Sequence, residues 1–228
     1  MIVPALLTAS VAGAAIHGAF HRNSPVFGSV LGRLPGRERR IALTFDDGPN
    51  PEATPRILDT LAHHDARATF FILGTHAEKW PAIVRRIADE GHRVGNHGYF
   101  HRKLHLKSPG YVRKDILLGS EAIEDAASVS PALFRAPHGF RSPWVTRIAA
   151  SLGQKTVGWS LGVWDSDRPG VEHIVERTTS GVRPGSIVLL HDGDGYDAAG
   201  DRMQTANAVP LIISGLRNRG YTLATIPG

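Results

Sequence analysis

Beyond Arg39 the chain alternates short apolar runs with longer stretches whose apolar positions recur at three- and four-residue spacing. Ile41 to Phe45 is predicted as a strand. Thr54-Pro55 then opens a helix, with proline at the first helical position, that runs to about His64. A second strand is expected at Ala68 to Ile72 and a helix from about Ala77 to Glu90. Arg93 to Gly95 reads as a short strand, and Ser108-Pro109 opens a long helix that ends near Ala127. Leu133-Phe134 is a brief strand before a helix capped at Ser142-Pro143. Thr156 to Leu161 and Ser186 to Leu190 are predicted strands, separated by a helix near Val171 to Thr179. A helix over about Thr205 to Arg219 and a strand at Tyr221 to Thr225 complete the pattern.

Strand-then-helix repetition predicts an α/β domain built on a parallel sheet, either open or closed into a barrel. No internal repeat, low-complexity tract or interdomain linker interrupts it. The expected organisation is an apolar N-terminal segment and lead-in over residues 1–39, then a single domain over 40–228. In both kinds of sheet, function gathers at the C-terminal ends of the strands. Asp46-Asp47, His97 and His101, Arg135, Asp165 and His191 each fall just after a predicted strand. Scattered polar residues would not be expected to fall that way.

Composition narrows the picture only a little. A hydrophobic fraction of 42% and a charged fraction of 21% are those of a folded soluble domain. The net charge of +5 would suit an acidic partner, but the basic residues are dispersed, and Arg39-Arg40 and Arg85-Arg86 are only short clusters. A solvated basic surface is expected, with no nucleic-acid partner. Without cysteine there is neither a disulfide framework nor a thiolate metal site, and no compartment is selected. The first twenty-one residues carry no Lys, Arg, Asp or Glu, and Ile2 to Ile16 is mostly apolar. As a membrane span this stretch is short and interrupted by Pro4, Thr8, Ser10 and Gly13. As a secretory signal it has small residues at Ala12-Gly13-Ala14 but lacks a positive start. A segment packed on the domain is the remaining reading, so membrane association through this segment and the localisation stay open.

His97 and His101, four residues apart, are expected to share one face of a helical turn, about 5–6 Å apart at Cβ, which suits one metal ion. Gly98 occupies the position that glutamate holds in the zinc-protease helix motif, so a third ligand and a base must come from elsewhere. The Asp46-Asp47 pair can supply both, because successive side chains leaving a strand diverge. Two imidazoles and one carboxylate leave coordination positions open for water and substrate. Asp192 to Asp201 superficially resembles a calcium loop. It fails on Tyr196 at a ligand position, Asp197 in place of the glycine, and Met203 in place of the bidentate acid.

The stretch Thr44-Phe45-Asp46-Asp47-Gly48-Pro49-Asn50 resembles the first motif of the polysaccharide deacetylases, carbohydrate esterase family 4, also called the NodB homology domain. The resemblance continues through Asn96 to His101, Arg135-Ala136-Pro137-His138-Gly139-Phe140, Trp159 to Asp165 and Ile187 to Asp192, and covers about Arg40 to Pro227. It implies a distorted (β/α) barrel with fewer than eight regular strands. It further implies a metal-dependent hydrolase that removes N-acetyl groups from an N-acetylglucosamine-containing glycan, such as peptidoglycan, chitin or a related polymer. By motif, Asp47, His97 and His101 would bind one divalent ion, with zinc the default and cobalt or nickel able to substitute. Asp46 would be the general base and His191 the general acid. Arg135 would orient Asp46, and Asp165 would pair with His191 and favour its protonated form, with Asp167 a nearby rival. Leu189 would line the acetyl-methyl pocket, and Pro137, Gly139, Phe140 and Trp164 would meet the substrate. Trp159 is either a groove wall or core, and His138, His63, His64 and His76 are read as uninvolved.

Two departures from the family pattern stand out. Gly98 follows His97 where the family has Ser or Thr, which removes a hydroxyl expected to brace the metal loop. Asp165 is followed by Ser166 where the family has Trp, with Trp164 standing before it instead. Two other functions fit part of this pattern: a metal amidohydrolase acting on a small non-sugar amide, and a catalytically silent glycan-binding module.

Overall fold

Strand β1 (Arg40–Gly48) has every residue after the first buried, as a strand covered on both faces requires. Its odd positions Ile41, Leu43 and Phe45 join the large apolar cluster beneath the helices, whereas Ala42, Thr44 and Asp46 face the other way. This alternation sets the depth of each group in the barrel interior. The computed structural model describes residues 12–36 and 38–228.

After residues 12–20, which form helix α1, the elements follow one another as the sequence pattern predicts. They are α2 (Ala53–His63), β2 (Thr69–Ile72), α3 (Gly74–Lys79), α4 (Pro81–Asp89), β3 (Arg93–Asn96) and α5 (Pro109–Ala127). Next come β4 (Leu133–Phe134), α6 (Pro143–Ser151), β5 (Lys155–Thr156), β6 (Leu161–Gly162), α7 (Val171–Gly181), β7 (Ile187–His191), α8 (Met203–Asn218) and β8 (Thr222–Leu223). The strands run parallel in the order β5-β4-β3-β2-β1-β7-β6, with β8 added to the start of β1. The result is the distorted (β/α) barrel, in which β4, β5, β6 and β8 are two residues each.

Two elements differ from expectation. The predicted helix from Ala77 to Glu90 is divided into α3 and α4, because Pro81 has no N–H to donate and drives Trp80 out of helical conformation (φ −133°, ψ 61°). The predicted strand Thr156 to Leu161 is two short strands at opposite ends of the sheet order. Between them the backbone serves other partners: Gly158 N–H donates to Leu31, Gly158 C=O accepts from Arg135, and Trp159 C=O accepts from Arg22 and Asn23. Residues 31–33 bridge from Val157 to Ser186, so the lead-in helps close the gap between the sheet ends.

Residues 2–11 of the apolar N-terminal stretch lie outside the described residues. Among the described residues no helix is long and apolar enough to cross a membrane.

Candidate active site

The register of β1 against β7 pairs Ala42 with Ile187, Thr44 with Leu189 and Asp46 with His191. Since side chains alternate along a strand, Leu189 and His191 rise on the same interior face as Thr44 and Asp46. Asp47 would point away from that face in a regular strand. A bulge between Asp46 and Gly48 in the pairing with β2, with Asp47 at φ 69°, turns its carboxylate to the same end of the barrel. His76 of α3 fixes this turn: its Nδ1 lies 2.8 Å from the Asp47 carbonyl and donates to it.

His97 and His101 follow β3 in a loop, not on the helical turn their spacing suggested. Gly98 (φ 82°) and His101 (φ 42°) take left-handed conformations that no continuous helix accommodates. The loop nevertheless brings both Nε2 atoms to Asp47 Oδ1, at 3.2 Å from His97 and 3.1 Å from His101. One donor atom from each of the three residues lies within 4.8 Å of the other two. Zinc bonds of about 2.0–2.1 Å in a tetrahedral site put donor atoms roughly 3.3 Å apart, so the set fits such an ion. Asp47 Oδ1 is buried and has no hydrogen-bond partner, which is costly unless a cation meets it. His97 Nδ1, 2.8 Å from the Arg135 carbonyl, donates there and leaves Nε2 as the free lone pair, the outer contact expected of a ligating histidine. Burial opposes the charge of Asp47, but His101, His97 and His191 outweigh it and hold the carboxyl below its usual range. Burial drives His101 down to about 3, helped by His97, His138 and His191. An ionised Asp47 and a neutral His101 are the protonation states a metal requires. Burial lowers the pKa of His97, but Asp46 and Asp47 outweigh it and raise it, so an ion must displace a proton there.

Asp46 stands beside this group with Oδ2 3.8 Å from His97 Nε2. Its other oxygen accepts from Arg135 Nη1 at 2.6 Å, and the same nitrogen donates to Thr44 Oγ1 at 2.8 Å. Fully buried, Arg135 extends from the end of β4 across the interior, its guanidinium 4.0 Å from the Phe71 ring centroid and 5.7 Å from that of Trp159. Nη2 donates to Gly158 C=O at 2.9 Å, so the group that orients Asp46 is itself fixed from three sides. Leaving such a buried charge without its partner would cost about 3–5 kcal/mol.

His191 ends β7, and Asp165 holds it twice, accepting from its backbone N–H at 2.7 Å and meeting its Nδ1 at 2.9 Å. Thr205 Oγ1 donates to Asp165 Oδ2 at 2.8 Å, completing the fixation of the carboxylate. Asp167, the rival for this role, is exposed. Burial pulls the His191 imidazole down, but Asp165, followed by Asp47 and Asp46, outweighs it and raises the pKa to about 9. His191 therefore keeps its proton at neutral pH, and were it the acid, loss of that proton would set an alkaline limb of activity. Asp165→Asn removes the largest raising contribution and leaves burial to act, so that limb should move down by a pH unit or more. An alkaline limb of kcat unchanged in Asp165→Asn would show that His191 is not the acid.

The Gly98 departure has a local explanation. A Cβ on residue 98 would lie 2.6 Å from Asp115 Oδ2, and that carboxylate accepts from Tyr99 N–H at 3.1 Å. Asp115, reaching in from α5, braces the loop from where a residue-98 side chain would sit, while Asn96 Oδ1 accepts Gly98 N–H at 2.7 Å. Restoring the family's hydroxyl with Gly98→Ser should thus destabilise the fold by about 1–3 kcal/mol, visible as a lower melting temperature. A gain in stability would show that the loop lacks the missing brace.

Asp46, Asp47, His97, His101, Asp165 and His191 all line one cleft of about 700 Å³, with Arg135 buried behind Asp46. Leu189, Gly139, Phe140, Trp159 and Trp164 line it as well. Pro137 is buried beneath its wall and is not among the lining residues. His138, set aside on sequence, is in the lining: its ring centroid is 4.5 Å from that of His101, and Nε2 is 3.1 Å from Tyr196 Oη. His63 and His64 lie at the far end of α2, outside the cleft. Phe20, Arg22 and Tyr196 also reach the cleft without any signal that sequence reasoning used. Tyr196, directly after Gly193-Asp194-Gly195, was the visible hint.

The family model for polysaccharide deacetylases matches residues 33–157. A chitooligosaccharide deacetylase of Bradyrhizobium sp. (strain ANU 289) is 40% identical over 196 residues, covering 83% of this chain and 90% of the relative. Among solved structures, the Bc1960 peptidoglycan N-acetylglucosamine deacetylase superposes with a TM-score of 0.79 at 34% identity, covering 87% of this chain and 91% of that one. BA3943, a pseudoenzyme of carbohydrate esterase family 4 from Bacillus anthracis, superposes with a TM-score of 0.78 at 28% identity, covering 87% and 67%. The backbone is thus as close to a silent relative as to one named for its activity.

Proposed function

This chain belongs to the polysaccharide deacetylase family, and from that premise we propose that it hydrolyses the N-acetyl groups of an N-acetylglucosamine-containing glycan with the residues placed above. The observation that carries the proposal is the joint geometry of three sets in one cleft. These are the Asp47-His97-His101 donor set, the Arg135-held Asp46 and the Asp165-held His191. A divalent ion held by Asp47, His97 and His101 would polarise the acetyl carbonyl and make a water more acidic, and zinc, cobalt and nickel all suit this donor set.

Asp46 takes the proton of the attacking water at Oδ2, because Oδ1 is occupied by Arg135. As water adds to the acetyl carbon and the C–N bond breaks, His191 gives its proton from Nε2 to the departing sugar nitrogen, its Nδ1 being held by Asp165. Without that proton the leaving group would be an amide anion. Acetate and a free amine are the products. Leu189, paired with Thr44 and two residues before His191 on the same face of β7, supports the methyl of the acetyl group.

An intact base and acid favour hydrolysis over a silent module, and an open cleft with Trp159 and Trp164 in its walls favours a sugar over a small amide. The test is acetate release from N-acetylglucosamine oligomers by protein stripped with chelator and re-supplied with zinc or cobalt. Metal-restored release is expected. No release from metal-loaded protein would move the reading to another amide or to binding alone.

A further inference from the structure

The N-terminal segment contributes side chains to the cleft that the chemistry above does not use. Helix α1 ends at Phe20, whose ring meets Phe140 edge-on at 5.2 Å between centroids and His105 at 5.6 Å. Phe140 in turn lies 5.1 Å from His105 and stacks on His138 at 5.9 Å, and His138 is 4.5 Å from His101. An unbroken band of rings therefore leads from the metal ligands to the N-terminal helix. Phe20 remains 54% exposed although it lines the cleft, so an apolar face is presented to whatever enters.

The position of that ring is set by the folded domain. Arg141, buried, donates through its backbone N–H to Ala19 C=O and through Nη2 to His21 and Ser24 C=O at 2.9 and 3.1 Å. Just beyond Phe20, the side chains of Arg22 and Asn23 both donate to Trp159 C=O at 2.9 Å. The segment is thus pinned to both walls of the cleft, on residues that precede the part matched by the family model.

We propose that Phe20, backed by Phe140 and His105, is a distal sugar subsite. It stacks an N-acetylglucosamine ring other than the one being deacetylated, so the protein selects oligomers over the monosaccharide. The C–H face of a pyranose is apolar and weakly positive, and it matches the negative face of an aromatic ring. The inference rests on the deacetylase reading for the ligand class, but it is tested by binding.

Calorimetric titration of zinc-loaded protein carrying Asp46→Asn, which should not consume the ligand, would compare N-acetylglucosamine with its dimer through pentamer. Affinity should rise with length. Adding Phe20→Ala should weaken the longer oligomers by about tenfold while leaving the monosaccharide unchanged, and Phe20→Trp should keep the gain. Absence of a length gain, or equal binding with and without Phe20, would overturn the subsite. Acetate release by protein with Asp46 intact separates the two readings. Release together with Phe20-independent binding rejects the subsite alone. Phe20-dependent binding without release keeps the subsite and rejects deacetylation.

Discussion

Asp46→Asn is expected to lower acetate release by roughly 10³-fold or more while the protein keeps its metal. The amide matches the carboxylate in shape, so Oδ1 can still accept from Arg135 Nη1, now 2.6 Å away, but no atom of it can take a proton from water. Metal retention follows because the donor set is Asp47, His97 and His101, and Asp46 Oδ2 lies 3.8 Å from His97 Nε2. Asparagine is the informative replacement. Alanine would leave the buried guanidinium with only Thr44 and Gly158, and removing one partner of such a pair costs about 3–5 kcal/mol. That loss would confuse a folding defect with a chemical one. Turnover, metal content and melting temperature together decide the matter: near-normal turnover would remove Asp46 from the role of base.

The parts of this protein that were legible in its sequence are those where one local rule acts alone. Strand β1 and the position of its aspartates follow from an apolar run ended by Gly48-Pro49, and α5 starts where Ser108 caps and Pro109 enters. Alternating strands and helices gave a parallel sheet and the end of it that matters, and the resemblance chose the barrel. The resemblance then assigned residues to roles. Arg135 and Asp165 stand where it implied, on Asp46 and His191.

What stayed hidden depends on backbone conformations and long-range partners that pattern does not encode. An i,i+4 histidine pair reads as helical, yet Gly98 and His101 take positive φ and make a loop that reaches the same point in space. The break at Gly158 and Trp159 is caused by partners more than a hundred residues away in sequence, Arg22 and Asn23 among them. His138 holds φ 60° on a short turn after β4, and that conformation is what swings its ring over His101. Gly98 looked like a missing brace because its substitute, Asp115, lies on a helix whose docking no local rule predicts.

The complementary experiment removes a ligand. His97→Ala should lose the metal on dialysis, and with it acetate release, by more than roughly 100-fold in affinity. Disturbing even an outer partner of a ligating histidine typically costs 10–100-fold. Two donors would remain, Asp47 and His101, and His101 is the residue that burial already holds neutral near pH 3 and above. The substitution also strips the Arg135 carbonyl of the Nδ1 donor at 2.8 Å, a loss of about 1–3 kcal/mol, so the variant should still fold. Unchanged metal content would mean a different donor set, and His138 is placed to join one, 4.5 Å from the His101 ring, if it releases Tyr196. Set beside Asp46→Asn, this variant separates holding the ion from using it. One should keep metal without turnover, and the other should lose both.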